Sequence, residues 1–371
     1  MGGLGFRAIL RPPAKRIEKK LSALRSGNFG RAAPSPEVAG GALIGHSAWL
    51  ITDGKVGMDV QVLGVAEELG VEIALKRVAP RRPWSLLAPW GPPDPRDRVG
   101  RPGARFTAPW PDIALATGRQ SIPYIRAIRR LAGPATFTVV IQNPRTGART
   151  ADLMAVPEHD GLSGDNVVVT LTAPHSFTPK RLEGLRRSPP REVAALPRPR
   201  VAVMLGGPNA AYQFGAASVA RLKVALASLK RLGASFLVTA SRRTPAALMD
   251  AVQQATEGAP RIVWDGSNDN PYVFFLAHAD VLIVTADSVN MTGEACATSR
   301  PVYVFEPEGG SAKFRRFHDA LRRYGATRPL PATFDRLESW RYAPLDSAAQ
   351  IAREIERRWL ARSAGNRLSR E

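Results

Sequence analysis

A single cysteine, Cys296, stands in 371 residues. That excludes an intramolecular disulfide framework and a zinc centre built from cysteines, and it fits a reducing compartment. No apolar run approaches the ~18 residues of a membrane-spanning helix, so integral membrane topology is not expected. Acid is scarce: 52 Lys and Arg against 32 Asp and Glu leave a net charge of +20. Such a field favours anionic partners such as nucleic acid, acidic lipid or phosphorylated small molecules. Arginine far outnumbers lysine, and Ala, Gly and Pro abound. A GC-rich genome produces this bias unaided, so charge selects no partner. The marks of nucleic-acid binding are missing too. There is no zinc finger, no RNP-like aromatic stretch and no basic heptad region, although Trp84, Trp90 and Trp110 lie among arginines. Specific nucleic-acid binding is therefore not expected. What is present is core material. With 44% hydrophobic and 23% charged residues, a mainly disordered chain is excluded. At roughly 150 residues per domain, the length suggests two domains, or three.

Residues 1–40 read apart from the rest. Arg7, Arg11, Lys15, Arg16, Lys19, Lys20, Arg25 and Arg31 face only Glu18 and Glu37, and no apolar segment follows as a secretory signal requires. Ile17, Leu21 and Leu24 recur at helical spacing, so the segment reads either as a basic amphipathic helix for an anionic membrane or as a tail; an organellar transit peptide is a third option. From Ala48 onward, apolar runs alternate with helical periods. Strands are expected at 48–52, 71–75, 113–116 and 136–141, with helices at 59–69 and 124–131; 152–156 and 167–171 are short apolar runs flanking a loop at 157–161. Residues 77–111, rich in Pro and Arg, read as a long loop. The Pro- and Arg-dense stretch 181–200 reads as an interdomain linker. A second alternating block follows, with strands at 201–205, 235–239, 262–264, 281–285 and 301–305 and helices between them. An amphipathic helix closes the chain at 348–360. Two parallel sheets flanked by helices are the expectation.

Polar residues gather where strands end. Gly206-Gly207 follows a strand and precedes a helix, which suits either close approach of a phosphate to backbone N–H groups or a tight turn. It is neither a G-x-G-x-x-G fingerprint nor a P-loop. Ser241-Arg242-Arg243-Thr244 offers two guanidiniums and two hydroxyls to a diphosphate, or else a helix cap before Pro245. The stretch from Thr285 through Asp287 and Ser288 to Glu294 lies at the carboxyl end of a buried strand, where open α/β sheets bind ligands. There Glu294 suits a pair of ribose hydroxyls, and Ser288 equally suits a helix cap. In the first half, Asp53-Gly54-Lys55 and Gly118-Arg119 repeat the theme, Lys55 and Arg119 as cations for an acceptor or phosphate and Asp53 as a helix cap. Glu158-His159-Asp160 supplies a candidate general base with a carboxylate to orient it. No second cluster completes a metal site, and no D-x-D sequence occurs.

The stretch Ala279–Thr285, Ser288, Glu294-Ala295 and Arg300–Val304 resembles the donor-nucleotide domain of GT-B glycosyltransferases. A closer resemblance, from Trp49 to about Pro307, is to the elongated-mitochondria (mitochondrial fission) family. It rests on four motifs in order: Ile51–Gly57, Val156–Gly161, Leu205–Pro208 and Val284–Ser288. Plant members are implicated in recruiting a dynamin-related protein to mitochondria. Bacterial members are sometimes labelled nucleoside-diphosphate-sugar epimerases. This chain departs from that label, since it has no early G-x-x-G-x-x-G turn and no Tyr-x-x-x-Lys pair. The resemblance implies a GT-B-like α/β fold, two Rossmann-like α/β/α domains facing across a cleft. The expected organisation is a basic extension (1–40), an acceptor domain (41–195), a donor domain (196–335) and a C-terminal helical segment (336–371). It also implies a metal-independent glycosyltransferase with no bound cofactor and a nucleotide-sugar as substrate, or a non-catalytic adaptor. Donor contacts fall to Gly206, Gly207, Ser241, Arg242, Asp287, Ser288 and Glu294. Acceptor and phosphate contacts fall to Lys55 and Arg119, and catalysis to His159, Asp160 or Asp53. The expected location is cytoplasmic or peripheral on the inner membrane.

Overall fold

Two runs of apolar strands, each long enough to be covered on both faces, build two parallel sheets. The computed structural model describes residues 41–267 and 269–368, with side chains to residue 364; the expected basic helix near residues 17–24 lies outside them. In the N-terminal lobe the strands are β1 (Ser47–Thr52), β2 (Glu72–Arg77), β3 (Ile113–Thr117), β4 (Phe137–Ile141), β5 (Leu153–Pro157) and β6 (Val167–Thr170). Their order is β2-β1-β3-β4-β5-β6, all parallel. Side chains alternate across the sheet with period two. Leu50, Leu115, Val139 and Leu153 pack beneath helix α1 (Val56–Leu69). Ile51, Ala116, Val140 and Met154 pack on the opposite face. There the 77–111 segment, which contains the short helix α2 (Trp84–Leu87), is followed after β3 by α3 (Ile122–Ala132).

The C-terminal lobe repeats the plan. Its sheet holds β7 (Arg200–Leu205), β9 (Ser235–Ala240), β10 (Arg261–Val263), β11 (Val281–Thr285), β12 (Val302–Phe305) and β14 (Thr327–Pro329), in the order β10-β9-β7-β11-β12-β14. A small antiparallel pair, β8 (Tyr212–Gln213) with β13 (Glu308–Gly309), sits beside it. Helices α6 (Ala216–Arg231) and α7 (Ala246–Ala255) cover Val203, Phe236 and Ile283. Helices α8 (Tyr272–His278), α9 (Val289–Cys296) and α10 (Ala312–Tyr324) cover Ala202, Leu282 and Val302.

Two segments differ from the sequence reading. The expected linker holds two helices, α4 (Pro179–Arg187) and α5 (Arg191–Ala194). Thr178 caps α4 ahead of Pro179, and Leu182 and Val193 are buried in the C-terminal core. Prolines there start helices instead of loosening the chain. Helix α10 was not anticipated at all. The last helix, α11 (Ser347–Leu368), leaves the C-terminal lobe and lays Ala348, Ile351, Ala352 and Ile355 into the N-terminal core beside α1. The chain therefore crosses between lobes twice, after β6 and before α11. A buried hydrogen bond between the Thr172 and Ser347 hydroxyls, 2.8 Å long, ties the crossings together.

Candidate functional site

Strand order reverses between β1 and β3 in one sheet and between β7 and β11 in the other. Such reversals leave a crevice at the carboxyl ends of the strands, the usual ligand position in open parallel sheets. Most of the residues singled out in the sequence fall at these two points. The points also adjoin one another. A side chain on Gly57, at the start of α1, would lie 3.2 Å from Asn290 Nδ2 on α9.

In the C-terminal lobe the glycine loop is already engaged. Gly206 N–H donates to Thr285 Oγ1 (2.7 Å) and Gly207 N–H to Asp287 Oδ2 (3.0 Å). Thr285 donates in turn to Asp287 Oδ1 at 2.7 Å, and Arg243 lies 3.5 Å from Oδ2. Burial pushes the Asp287 carboxyl above its ordinary range, and these donors offset part of the rise. The glycines are dictated by this packing. A Cβ at Gly206 would stand 2.1 Å from Asp287 Oδ1, and one at Gly207 would stand 2.1 Å from the Arg243 carbonyl oxygen. Asp287 thus braces the loop. Ser241 and Thr244 brace it further: Thr244 donates to the Gly206 carbonyl at 2.6 Å and lies 3.1 Å from Ser241 Oγ. Arg242 is exposed. Ser288 caps α9 by accepting from Met291 N–H.

Glu294 lies in the second turn of α9. Tyr272, at the start of α8, donates its phenol hydrogen to Glu294 Oε2 at 2.5 Å. Burial raises the carboxyl to about 7, an effect the tyrosine partly offsets. The same burial, with the carboxylate alongside, pushes the Tyr272 phenol well above its usual value. Both residues keep some solvent contact, as expected for the floor of an open crevice. Asn270 positions Tyr272, accepting from its backbone N–H at 3.0 Å.

On the N-terminal side, Asp53 is almost wholly buried and pairs with the exposed Lys55 at 2.6 Å. Its carboxylate lies against Gly118. Arg119 is committed elsewhere, donating to the Leu86 carbonyl at 2.6 Å and so holding α2. Behind this loop, Thr52 and Arg77 both bind the buried Asp59.

His159 and Asp160 sit apart from both reversals, in the turn after β5, packed on α10. Lys313 pairs with Asp160 at 2.6 Å, Arg316 donates to the His159 carbonyl at 3.1 Å, and Arg323 pairs with Glu158. The His159 ring meets Phe317 edge-on at 5.3 Å. Burial depresses its pKa to about 4, against the pull of Asp160 and with the push of Lys313 and Arg316. This turn is a strut between lobes. Its acid–base reading in the sequence rested on residue types in a loop; the contacts come from α10, which the sequence reading missed. The spacing of Phe314, Phe317 and Leu321 was the signal for that helix. Tyr272 was missed as well, because its partner lies 22 residues away in sequence. Among the described residues, no group of three His, Cys, Asp or Glu side chains is gathered to hold a metal ion, and no helix is long and apolar enough to cross a membrane.

Two Rossmann-like lobes meeting at their switch points, with the last helix returning to the first lobe, define an α/β protein of GT-B-like fold. Residues 56–359 match the model of the family described as mitochondrial fission ELM1, and the chain belongs to that family. It is 33% identical over 276 residues to the mitochondrial fission protein ELM1 of Arabidopsis thaliana, covering 68% of this chain and 65% of that protein. An uncharacterized protein of Rickettsia prowazekii is 32% identical over 162 residues, 42% of this chain and 45% of that one. The chain thus spans less than two thirds of the length of either relative. Among solved structures, a Staphylococcus aureus MnaA–UDP complex aligns at 10% identity and TM-score 0.48, covering 83% of this chain and 87% of that one. Acinetobacter baumannii MurG aligns at 16% identity and TM-score 0.43, covering 85% and 92%. Likenesses this distant say nothing about ligand or reaction.

Proposed function

We propose that the crevice binds a nucleoside-diphosphate sugar and that the protein transfers the sugar to an acceptor hydroxyl entering from the N-terminal lobe. The observation that carries this is the Glu294–Tyr272 pair: a carboxylate set deep on the helix that follows a switch point, oriented by one phenol and still in contact with solvent. A carboxylate so placed accepts both hydroxyls of a ribose. The first turn of α9, Arg242 and Lys55 supply positive potential for the diphosphate, whose charge grows as the bond from sugar C1 to phosphate oxygen breaks. The acceptor oxygen bonds to C1 and its proton passes to a base. Asp53 is the candidate, since it lies at the N-terminal switch point beside Lys55, whereas His159 and Asp160 sit after β5 against α10. The nucleotide-sugar is substrate, and no resident cofactor is required.

The test is calorimetry with UDP, GDP, ADP and CMP and their sugars. One nucleotide should bind, and Glu294→Ala should weaken it at least about tenfold. Binding should strengthen from about pH 6 to about pH 8 as Glu294 ionises. Tyr272→Phe should move that rise to higher pH, because the phenol favours the charged form. Asp53→Asn should spare binding and lower transfer by about a hundredfold or more. A second reading has its own support. The Gly206 and Gly207 N–H groups are satisfied internally and His159 is sealed, which suits a non-catalytic platform that recruits another protein. Well-folded protein that binds no nucleotide favours that reading.

A further inference from the structure

At the opposite end of the C-terminal sheet, where β7, β11 and β12 begin, lies a groove of about 470 Å3. Its walls include Arg186, Ser299, Arg300, Trp340, Arg341 and Tyr342. The size falls within the range of small-molecule sites. The groove is lined by carboxylates as well, but these are occupied: Asp280 pairs with Arg198 and accepts the Arg200 N–H, and Glu338 pairs with Arg328. Among the described residues, the guanidiniums of Arg300 and Arg341 have no carboxylate or hydrogen-bond partner. Arg300 is nevertheless half-shielded from water.

The turn that presents Arg300 is rigidly held. Arg186 donates to the Thr298 carbonyl at 2.9 Å and to the Ala277 carbonyl at 2.9 Å. The Thr298 hydroxyl accepts from Arg300 N–H, and the Tyr342 phenol donates to the Arg300 carbonyl at 2.8 Å. Ser299, between them, has a φ of 58°, a left-handed conformation that a serine adopts at a cost. Burial, and then Arg300 as a like charge, lower the affinity of Arg186 for its own proton. Arg186 and Arg300 lie close enough to repel, with Glu183 as the one acid that offsets the repulsion at Arg186, and guanidiniums gathered on one groove suit an anion with several oxygens. The Trp340 ring, backed edge-on by Tyr303 at 5.1 Å, supplies an apolar wall.

We propose that this groove is a second ligand site, taking the phosphoryl group of a small phosphorylated molecule on Arg300, Arg341 and the free edge of Arg186, with the organic body against Trp340. It lies at the amino ends of the strands whose carboxyl ends form the crevice, so it is independent of the nucleotide reading. The experiment is calorimetry on the full chain at low ionic strength, with inorganic phosphate, inorganic pyrophosphate and glucose 1-phosphate as probes. Glucose 1-phosphate should bind more tightly than phosphate, and Arg300→Ala should weaken both by about tenfold or more. Arg341→Ala, on the exposed rim, gives the same test with no cost to folding. Binding should persist in Glu294→Ala. Undiminished binding in both arginine variants would overturn the proposal. So would loss of binding in Glu294→Ala, which would put the anion in the crevice. Absence of heat with all three probes would overturn it as well.

Discussion

Asp287 shows how one carboxylate can look like a ligand and act as a brace. It is fully enclosed, accepts from Gly207 N–H and Thr285, and draws Arg243 toward it. No room exists for a methyl group on Gly206, whose Cβ would overlap the Asp287 oxygens. Gly206→Ala should therefore cost about 1–3 kcal/mol through forced displacement of a buried, hydrogen-bonded acid. Thermal unfolding should show a lowered Tm, while Gly215→Ala, whose Cβ would meet only the Glu308 carboxylate at 3.3 Å, should change it less. An equal Tm for Gly206→Ala and the wild type would mean that the loop relaxes freely. Glu294 is the contrasting case, a carboxylate kept near its midpoint of ionisation at neutral pH.

At the scale of elements, the turn after β5 and helix α10 make a seam built on neutral histidines. Burial lowers the pKa values of His159 and His318 there, and of His175 and His278 elsewhere. Among the described residues, His159 Nδ1 and His318 Nδ1 have no hydrogen-bond partner. A histidine whose folded pKa lies below its unfolded value of 6.5 binds fewer protons when folded. Stability is then fully present above about 6.5 and falls as pH drops toward about 4, the folded value for His159. Glu294 acts in the opposite sense, so the comparison of slopes is what counts. His159→Asn should flatten the decline of Tm between about pH 6.5 and pH 5; an unchanged slope would show that His159 is protonated without opening the seam. The strands were legible in sequence because fully buried parallel strands are written as apolar runs, as in Ile113–Thr117 and Val281–Thr285. The switch-point loops were legible for the same reason, since the runs end in Asp53-Gly54, Gly118, Gly206-Gly207 and Asp287-Ser288. Helices α4 and α10 were not. In the first, Pro density masked a capped start at Thr178. In the second, seven charged or histidine positions between Ala312 and Tyr324 masked the Phe314–Phe317–Leu321 stripe. The Tyr272–Glu294 and Gly207–Asp287 partnerships could not be read, because tertiary packing brings them together: the first across the two helices flanking β11, the second through the pairing of β7 with β11.

Over the whole molecule, the two lobes are joined by two crossings, the Thr172–Ser347 hydrogen bond and the seam at α10. Helix α11 completes the N-terminal core from the far end of the chain: Ile351 and Ile355 are fully buried there. Burying two isoleucines contributes about 3–6 kcal/mol before the smaller alanines are counted, a large share of typical domain stability. Truncation after Asp346 should therefore unfold the N-terminal lobe well below the temperature of the full chain, visible as a separate early transition in calorimetry. A single cooperative transition at the original temperature would show that α11 is dispensable.

The returning helix also governs how this gene can be divided. A cut anywhere between the sheets strands the last piece of the first lobe on the wrong fragment, leaving a greasy gap in one product and an orphaned amphipathic tail on the other. Neither half is a self-sufficient folding module. A fragment pair should regain structure only when mixed, with the tail finding its slot in trans.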